Sequence, residues 1–157
     1  MKKTFFTLFF VLLSCVNSIS APQPLQFTIT TDNNIYATSD RIVVHLDIFN
    51  DSGGDLLVTD LQQVQIWLLS ARIITFDIVD EHGERIKMKG QAVDYWPSNR
   101  AITLKYYERM MSDVIINDHN AKNYYPMSKQ ARYKITAVYH GLAGREIVSN
   151  SLIIDLE

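Results

Sequence analysis

Four histidines are the side chains of this 157-residue chain best suited to proton transfer or metal binding near neutral pH. They are His45, His82, His119 and His140, scattered along the sequence with no two at the short spacing of a metal-binding motif. His45 and His140 fall on strand faces opposite the expected core, and His82 falls in a turn. All four therefore read as surface histidines. Two Asn/Asp-rich stretches, Asn50–Asp55 (NDSGGD) and Asp113 with Asn117–Asn120, hold oxygen donors of the kind calcium takes. Neither repeats its donors at every second position as an EF-hand loop does, and these residue types are also the ordinary currency of turns. Neither GxSxG nor HExxH occurs. Cys15 is the single cysteine, and it lies in the leader. The mature chain then has no thiol nucleophile, internal disulfide or cysteine-based zinc site. No cofactor motif is present, and the chain reads as a non-enzyme.

The aromatic pairs are more informative. Tyr95-Trp96-Pro97, Tyr106-Tyr107 and Tyr124-Tyr125-Pro126 each place adjacent rings on the chain. Neighbours on a strand point to opposite faces, so one ring of each pair is expected at the surface or an edge. Tyrosine and tryptophan there bring large contact area with a polar tip, as recognition surfaces require. Core capping is the alternative use of the same rings. Tyr124 and Tyr125, in the polar loop Asp118–Met127, are the leading candidates for protein binding, followed by Tyr95 and Trp96.

The elements that must hold these residues are strands. Leu25–Thr31, Arg41–Asn50 and Ile73–Asp80 alternate apolar and polar residues with period two. Leu56–Asp60, Arg85–Lys89, Ala101–Tyr107 and Met110–Asn117 read as shorter strands, and Ala92–Pro97 as an irregular one. Leu61–Ala71 reads as a loop that buries Trp67. Ala131–Leu156 reads as a closing hairpin: a strand from Tyr133 to His140, the turn GLAG, and a strand from Ile147 on which Leu152, Ile154 and Leu156 share a face. Turn signals fall at intervals of about ten residues, as in antiparallel sandwiches and barrels.

Residues 1–20 form a secretory signal: Lys2 and Lys3, an apolar run Phe5–Leu13, then a small, polar region. Two processing routes are open. Ser18 and Ser20 suit cleavage before Ala21, whereas Leu12-Leu13-Ser14-Cys15 resembles a lipoprotein box that would acylate Cys15. Residues 21–157 then form one domain. That domain keeps 13 of the 15 basic residues and all 17 acidic ones, a net charge of about −4. A nucleic-acid partner is disfavoured, and no later segment is long and apolar enough to span a bilayer.

The strand ending Phe49-Asn50, the short Leu56-Leu57-Val58, the run Phe76–Asp80 with Gly83, and Tyr133-Lys134-Ile135 resemble immunoglobulin-like β-sandwiches of bacterial secreted proteins. The pattern is similar to the non-catalytic sandwich domain of secreted zinc metalloendopeptidases and to a small bacterial proteinase-inhibitor sandwich. The resemblance implies an all-β fold: a single antiparallel sandwich of about 7–9 strands. It places a tyrosine-corner ring at Tyr133. It implies an exported module, periplasmic or extracellular in a Gram-negative bacterium, that binds a protein partner as an inhibitor or accessory of a secreted peptidase. An envelope lipoprotein anchored through Cys15 is the alternative, and a hydrolase with an unrecognised site a more distant one.

Overall fold

The computed structural model describes residues 25–62, 69, 71–90, 101–121, 123–141 and 146–157. The signal region with Cys15, the loop residue Trp67, the pair Tyr95-Trp96 and the GLAG turn from Leu142 onward lie outside the described residues. The described residues are all-β and contain no helix, so none of them forms a helix long and apolar enough to cross a membrane. The strands are β1 (Leu25–Thr31), β2 (Ile35–Tyr36), β3 (Val43–Asn50), β4 (Leu56–Thr59), β5 (Ile74–Asp80), β6 (Ala101–Leu104), β7 (Arg109–Ile115), β8 (Ala131–His140) and β9 (Glu146–Leu156).

They make a three-stranded sheet in the order β1-β3-β7, a four-stranded sheet in the order β2-β9-β8-β5, and a ribbon of β4 and β6. All pairs are antiparallel except β2 on β9, which is parallel. Period-two alternation decides which residues go inside. Leu25, Phe27 and Ile29 of β1, Val44, Leu46 and Ile48 of β3, and Met110 and Val114 of β7 are buried on one sheet. Ile74, Phe76 and Ile78 of β5 and Tyr133, Ile135, Ala137 and Tyr139 of β8 are buried on the other, and all belong to one core. The Phe27 and Tyr139 rings meet across the two sheets, with centroids 6.1 Å apart.

Buried tyrosines anchor their hydroxyls by hydrogen bonds in this interior, among them Tyr139, Tyr125 and Tyr133. Tyr139 Oη accepts the Thr59 N–H at 3.0 Å, which ties the β4–β6 ribbon to β8. Tyr125 Oη accepts the Phe76 N–H at 2.8 Å. Tyr133 Oη donates to the Lys129 carbonyl, four residues upstream, at 3.0 Å. Burial raises the pKa of all three phenols, against backbone hydrogen bonds that lower it. A side chain also joins the sheets at one edge: Asn150 of β9 accepts the Ile29 N–H at 2.8 Å and donates to the Ile29 carbonyl at 3.0 Å.

The closing hairpin pairs β8 with β9 in antiparallel register, with a bulge between Thr136 and Val138 where the Ser149 hydroxyl takes the Ala137 N–H. Three expectations change. Arg85–Lys89 is not a continuous strand: Arg85 bridges Val79 and Lys89 bridges Tyr124, with Ile86 N–H donating to Ile78 in between. The Ala101–Tyr107 strand stops at Leu104 and gives way to a turn. Finally, Ile35–Tyr36 forms β2, whose two residues are too short a run to carry a periodic signal.

Candidate protein-binding surface

Asn50 is the last residue of β3 and is fully buried. Its side-chain amide donates to the Gly54 carbonyl and to the Leu104 carbonyl, both at 2.8 Å. Its side-chain oxygen accepts the Ser52 N–H at 3.1 Å and the Ser52 hydroxyl at 2.7 Å. Two donors and two acceptor sites are thus all used, which is the full capacity of an asparagine side chain. Its backbone is used as well: the Asn50 N–H donates to Glu108, and the Tyr107 N–H donates to the Asn50 carbonyl at 2.9 Å. One buried residue therefore holds the β3–β4 loop and the β6–β7 turn together.

That turn, Lys105–Glu108, presents two aromatic rings. Glu108 N–H closes it onto the Lys105 carbonyl, the Glu108 carboxylate accepts the Lys105 N–H at 2.8 Å, and Asp55 accepts the Tyr106 N–H at 3.1 Å. Tyr107 sits in the left-handed region at φ 63°, a position that normally takes glycine or asparagine. Holding a tyrosine there costs about 1–2 kcal/mol. Tyr106 is 43% exposed and Tyr107 64%. Their ring centroids lie 4.2 Å apart, and the Tyr107 ring tilts against Phe49 at 5.7 Å. The Arg109 guanidinium lies 4.7 Å from the centre of the Phe49 ring and pairs with Asp47. Hydrogen bonding to Tyr107 is the chief cause raising the Tyr106 phenol pKa, and the Asp51 charge adds to it. Backbone strain at Tyr107 thus lies beneath two exposed rings and beside a saturated buried asparagine.

The outer face of β1-β3-β7 continues from this cluster. It forms a groove of about 530 Å³ lined by Thr28, Thr30, His45, Asp47, Met111 and Asp113. His45 Nδ1 lies 2.7 Å from Asp113 and Nε2 lies 3.0 Å from Asp32. Hydrogen bonds to the two carboxylates, Asp113 first, hold the His45 pKa above the ordinary histidine value, against partial burial. On the other sheet, Thr75 Oγ1 stands 2.8 Å from His140 Nε2, and His140 Nδ1 stands 3.1 Å from Glu146. This chain straps β5, β8 and β9 together, and its atom order is that of a hydroxyl–imidazole–carboxylate relay. Both strand histidines therefore lie on outer faces. Among the described residues no group of three or more His, Cys, Asp or Glu side chains could hold a metal ion.

The structure separates the aromatic residues singled out from sequence. Tyr125 is buried and meets Phe76 edge-on at 5.8 Å, so the ring expected at a recognition surface packs in the core instead. Tyr124 is half-buried and stands edge-on to His119 at 4.9 Å, with its backbone bridged to Lys89. The rings brought together at the surface are Phe49, Tyr106 and Tyr107. Tyr106-Tyr107 stands out in the sequence as a pair, but a strand through residue 107 sends its rings to opposite faces. The buried asparagine after Phe49 is the signal that joins them.

No family model and no curated protein matches the chain. Among solved structures, it is similar to a Pseudomonas fluorescens alkylpurine DNA glycosylase, AlkC, bound to DNA containing an abasic site analog. Sequence identity is 10% and the TM-score 0.43, over 85% of this chain and 30% of the glycosylase chain. The chain thus spans about a third of that protein's length.

Proposed function

We propose that this chain is an exported, non-catalytic protein-binding module with an immunoglobulin-like sandwich fold, and that the Tyr106–Tyr107 turn is its contact surface. Two features support the fold reading. The orders β1-β3-β7 and β5-β8-β9 parallel the A-B-E and C-F-G sheets of such domains. The hydrogen bond from Tyr133, near the start of β8, to Lys129 has the form of a tyrosine corner. The observation that carries the function is the exposed pair of tyrosines on a strained turn, locked from beneath by Asn50. Loops clustered at one end of a sandwich are where such domains meet their partners.

The most concrete version is inhibition or assistance of a secreted peptidase, in line with the family resemblance of the strand pattern. Titrating the mature protein into a panel of secreted metallo- and serine peptidases tests it. Slowing of one peptidase by wild type, lost in the Tyr106→Ala/Tyr107→Ala double variant, is the expected result. A panel unaffected by wild type refutes the inhibitor version. The hydrolase alternative draws on one observation, the Thr75–His140–Glu146 relay. It requires ester hydrolysis that disappears in Thr75→Val, and an inert wild type removes it.

A further inference from the structure

We propose that the Tyr106–Tyr107 turn seats an arginine side chain of its protein partner. The inference rests on the protein-binding reading above and gives that partner its chemistry. It comes from the charge around the rings and from a contact the cluster already makes.

The ring faces of tyrosine and phenylalanine are electron-rich and attract cations that lie over them. Within this cluster one face is already used so: Arg109 lies over Phe49 at 4.7 Å. Tyr107 packs against that same Phe49, and Tyr106 against Tyr107, so the rings form a continuous series. Among the described residues, no guanidinium lies over the exposed end of the series, Tyr106 with Tyr107.

The surrounding charge is negative. Asp47, Asp51, Asp55 and Glu108 stand on β3, the β3–β4 loop and the turn, against Lys105 and Arg109. Arg109 is matched by Asp47, which leaves Asp51, Asp55 and Glu108 against Lys105 among the described residues of β3, the β3–β4 loop and the turn. Asp51, Asp55 and Glu108 are all exposed. A cation arriving at the rings therefore meets a favourable field, and an anionic lipid or nucleic-acid backbone meets an unfavourable one. Arginine fits better than lysine because its planar guanidinium stacks on a ring while its edge hydrogen-bonds to a carboxylate. The fixed turn geometry means that little ordering is needed on this side of the contact.

The test uses the mature protein and three short peptides of one frame, acetyl-Gly-Ser-X-Gly-Ser-amide. X is arginine, citrulline (the same shape without charge) or leucine. Backbone amide shifts are followed as each peptide is added. The arginine peptide should move amides of residues 50–55 and 105–109, and citrulline should bind about fivefold more weakly. Asp51→Asn should weaken arginine binding about twofold and added salt should weaken it further. Tyr106→Phe should retain binding, whereas Tyr106→Leu, which keeps bulk without an aromatic face, should lose it.

Equal binding of citrulline and arginine at the turn overturns the proposal. So does arginine binding that maps elsewhere. If leucine perturbs the turn and arginine has no advantage, the cationic partner is wrong while the protein-binding reading stands. If no peptide perturbs the turn, the arginine proposal fails, and the protein-binding reading is then decided by the peptidase titration.

Discussion

Asn50→Ala should unfold the Tyr106–Tyr107 turn and take a large part of the domain's stability with it. Four side-chain hydrogen bonds are removed, to Gly54, Leu104 and twice to Ser52. The Leu104 carbonyl belongs to a buried residue, and losing its partner there costs about 1–3 kcal/mol. Gly54 is exposed and Ser52 half-exposed, so water can replace those bonds at a net loss of about 0.5 kcal/mol each. The total is about 2.5–4.5 kcal/mol, against a typical domain stability of about 5–15 kcal/mol. With a urea m-value of about 2 kcal/mol/M, the unfolding midpoint should fall by about 1–2 M. Asn50→Asp tests the donors separately, because it sets a carboxylate against two carbonyls while preserving shape. It should be at least as destabilising as alanine. Urea unfolding followed by tyrosine and tryptophan fluorescence measures both variants. An Asn50→Ala loss below about 0.5 kcal/mol would refute the reasoning, since buried and saturated hydrogen bonds cannot be released so cheaply.

Other outcomes follow from the same geometry. Tyr107→Asn, which tolerates a positive φ, should leave stability unchanged or raise it by up to about 1 kcal/mol while removing partner binding, measured by thermal unfolding beside a binding titration. Tyr139→Phe and Tyr125→Phe should each cost about 1–3 kcal/mol, because the Thr59 and Phe76 N–H groups lose their acceptor inside the core, and urea unfolding of the two variants reads it. The raised pKa of His45 has a defined sign: its stabilisation is complete below the unfolded value of about 6.5 and is lost as pH rises through the higher folded value. The effect stays below about 1 kcal/mol, since the imidazole and both carboxylates are substantially solvated, and His45→Gln should flatten that part of the stability–pH profile. Mass spectrometry of the exported protein should show a chain starting at Ala21, whereas an acylated Cys15 would point to the envelope lipoprotein.

The sheets were legible because their strands alternate. Leu25–Thr31, Val43–Asn50, Ile74–Asp80 and the β8–β9 pair repeat apolar residues at period two, and the same positions fill the core. The resemblance singles out Tyr133, but its partner, the Lys129 carbonyl, carries no signature in the sequence. The Tyr106–Tyr107 turn was not legible, for a physical reason. Lys105–Glu108 contains no glycine, proline, asparagine or aspartate, so it carries no turn signature. What holds it is Asn50, more than fifty residues earlier, whose hydrogen bonds to Leu104, Tyr107 and Glu108 exist only in the folded state. Tyr125 illustrates the converse. Its polar loop suggests exposure, but the open N–H of Phe76 at the edge of β5 draws its hydroxyl inward. Local composition reports strands well and reports poorly any residue whose place is set by one distant hydrogen bond.

The most direct test of the central claim is site-specific photo-crosslinking in the cell that makes the chain, with a photoreactive phenylalanine at Tyr106 and, as control, at Lys134 on the outer face of the other sheet. The account predicts a discrete crosslinked partner from position 106 that disappears when Tyr107 is also replaced by alanine, and none from position 134. The same partner captured equally from both positions, or no partner from position 106, would contradict it.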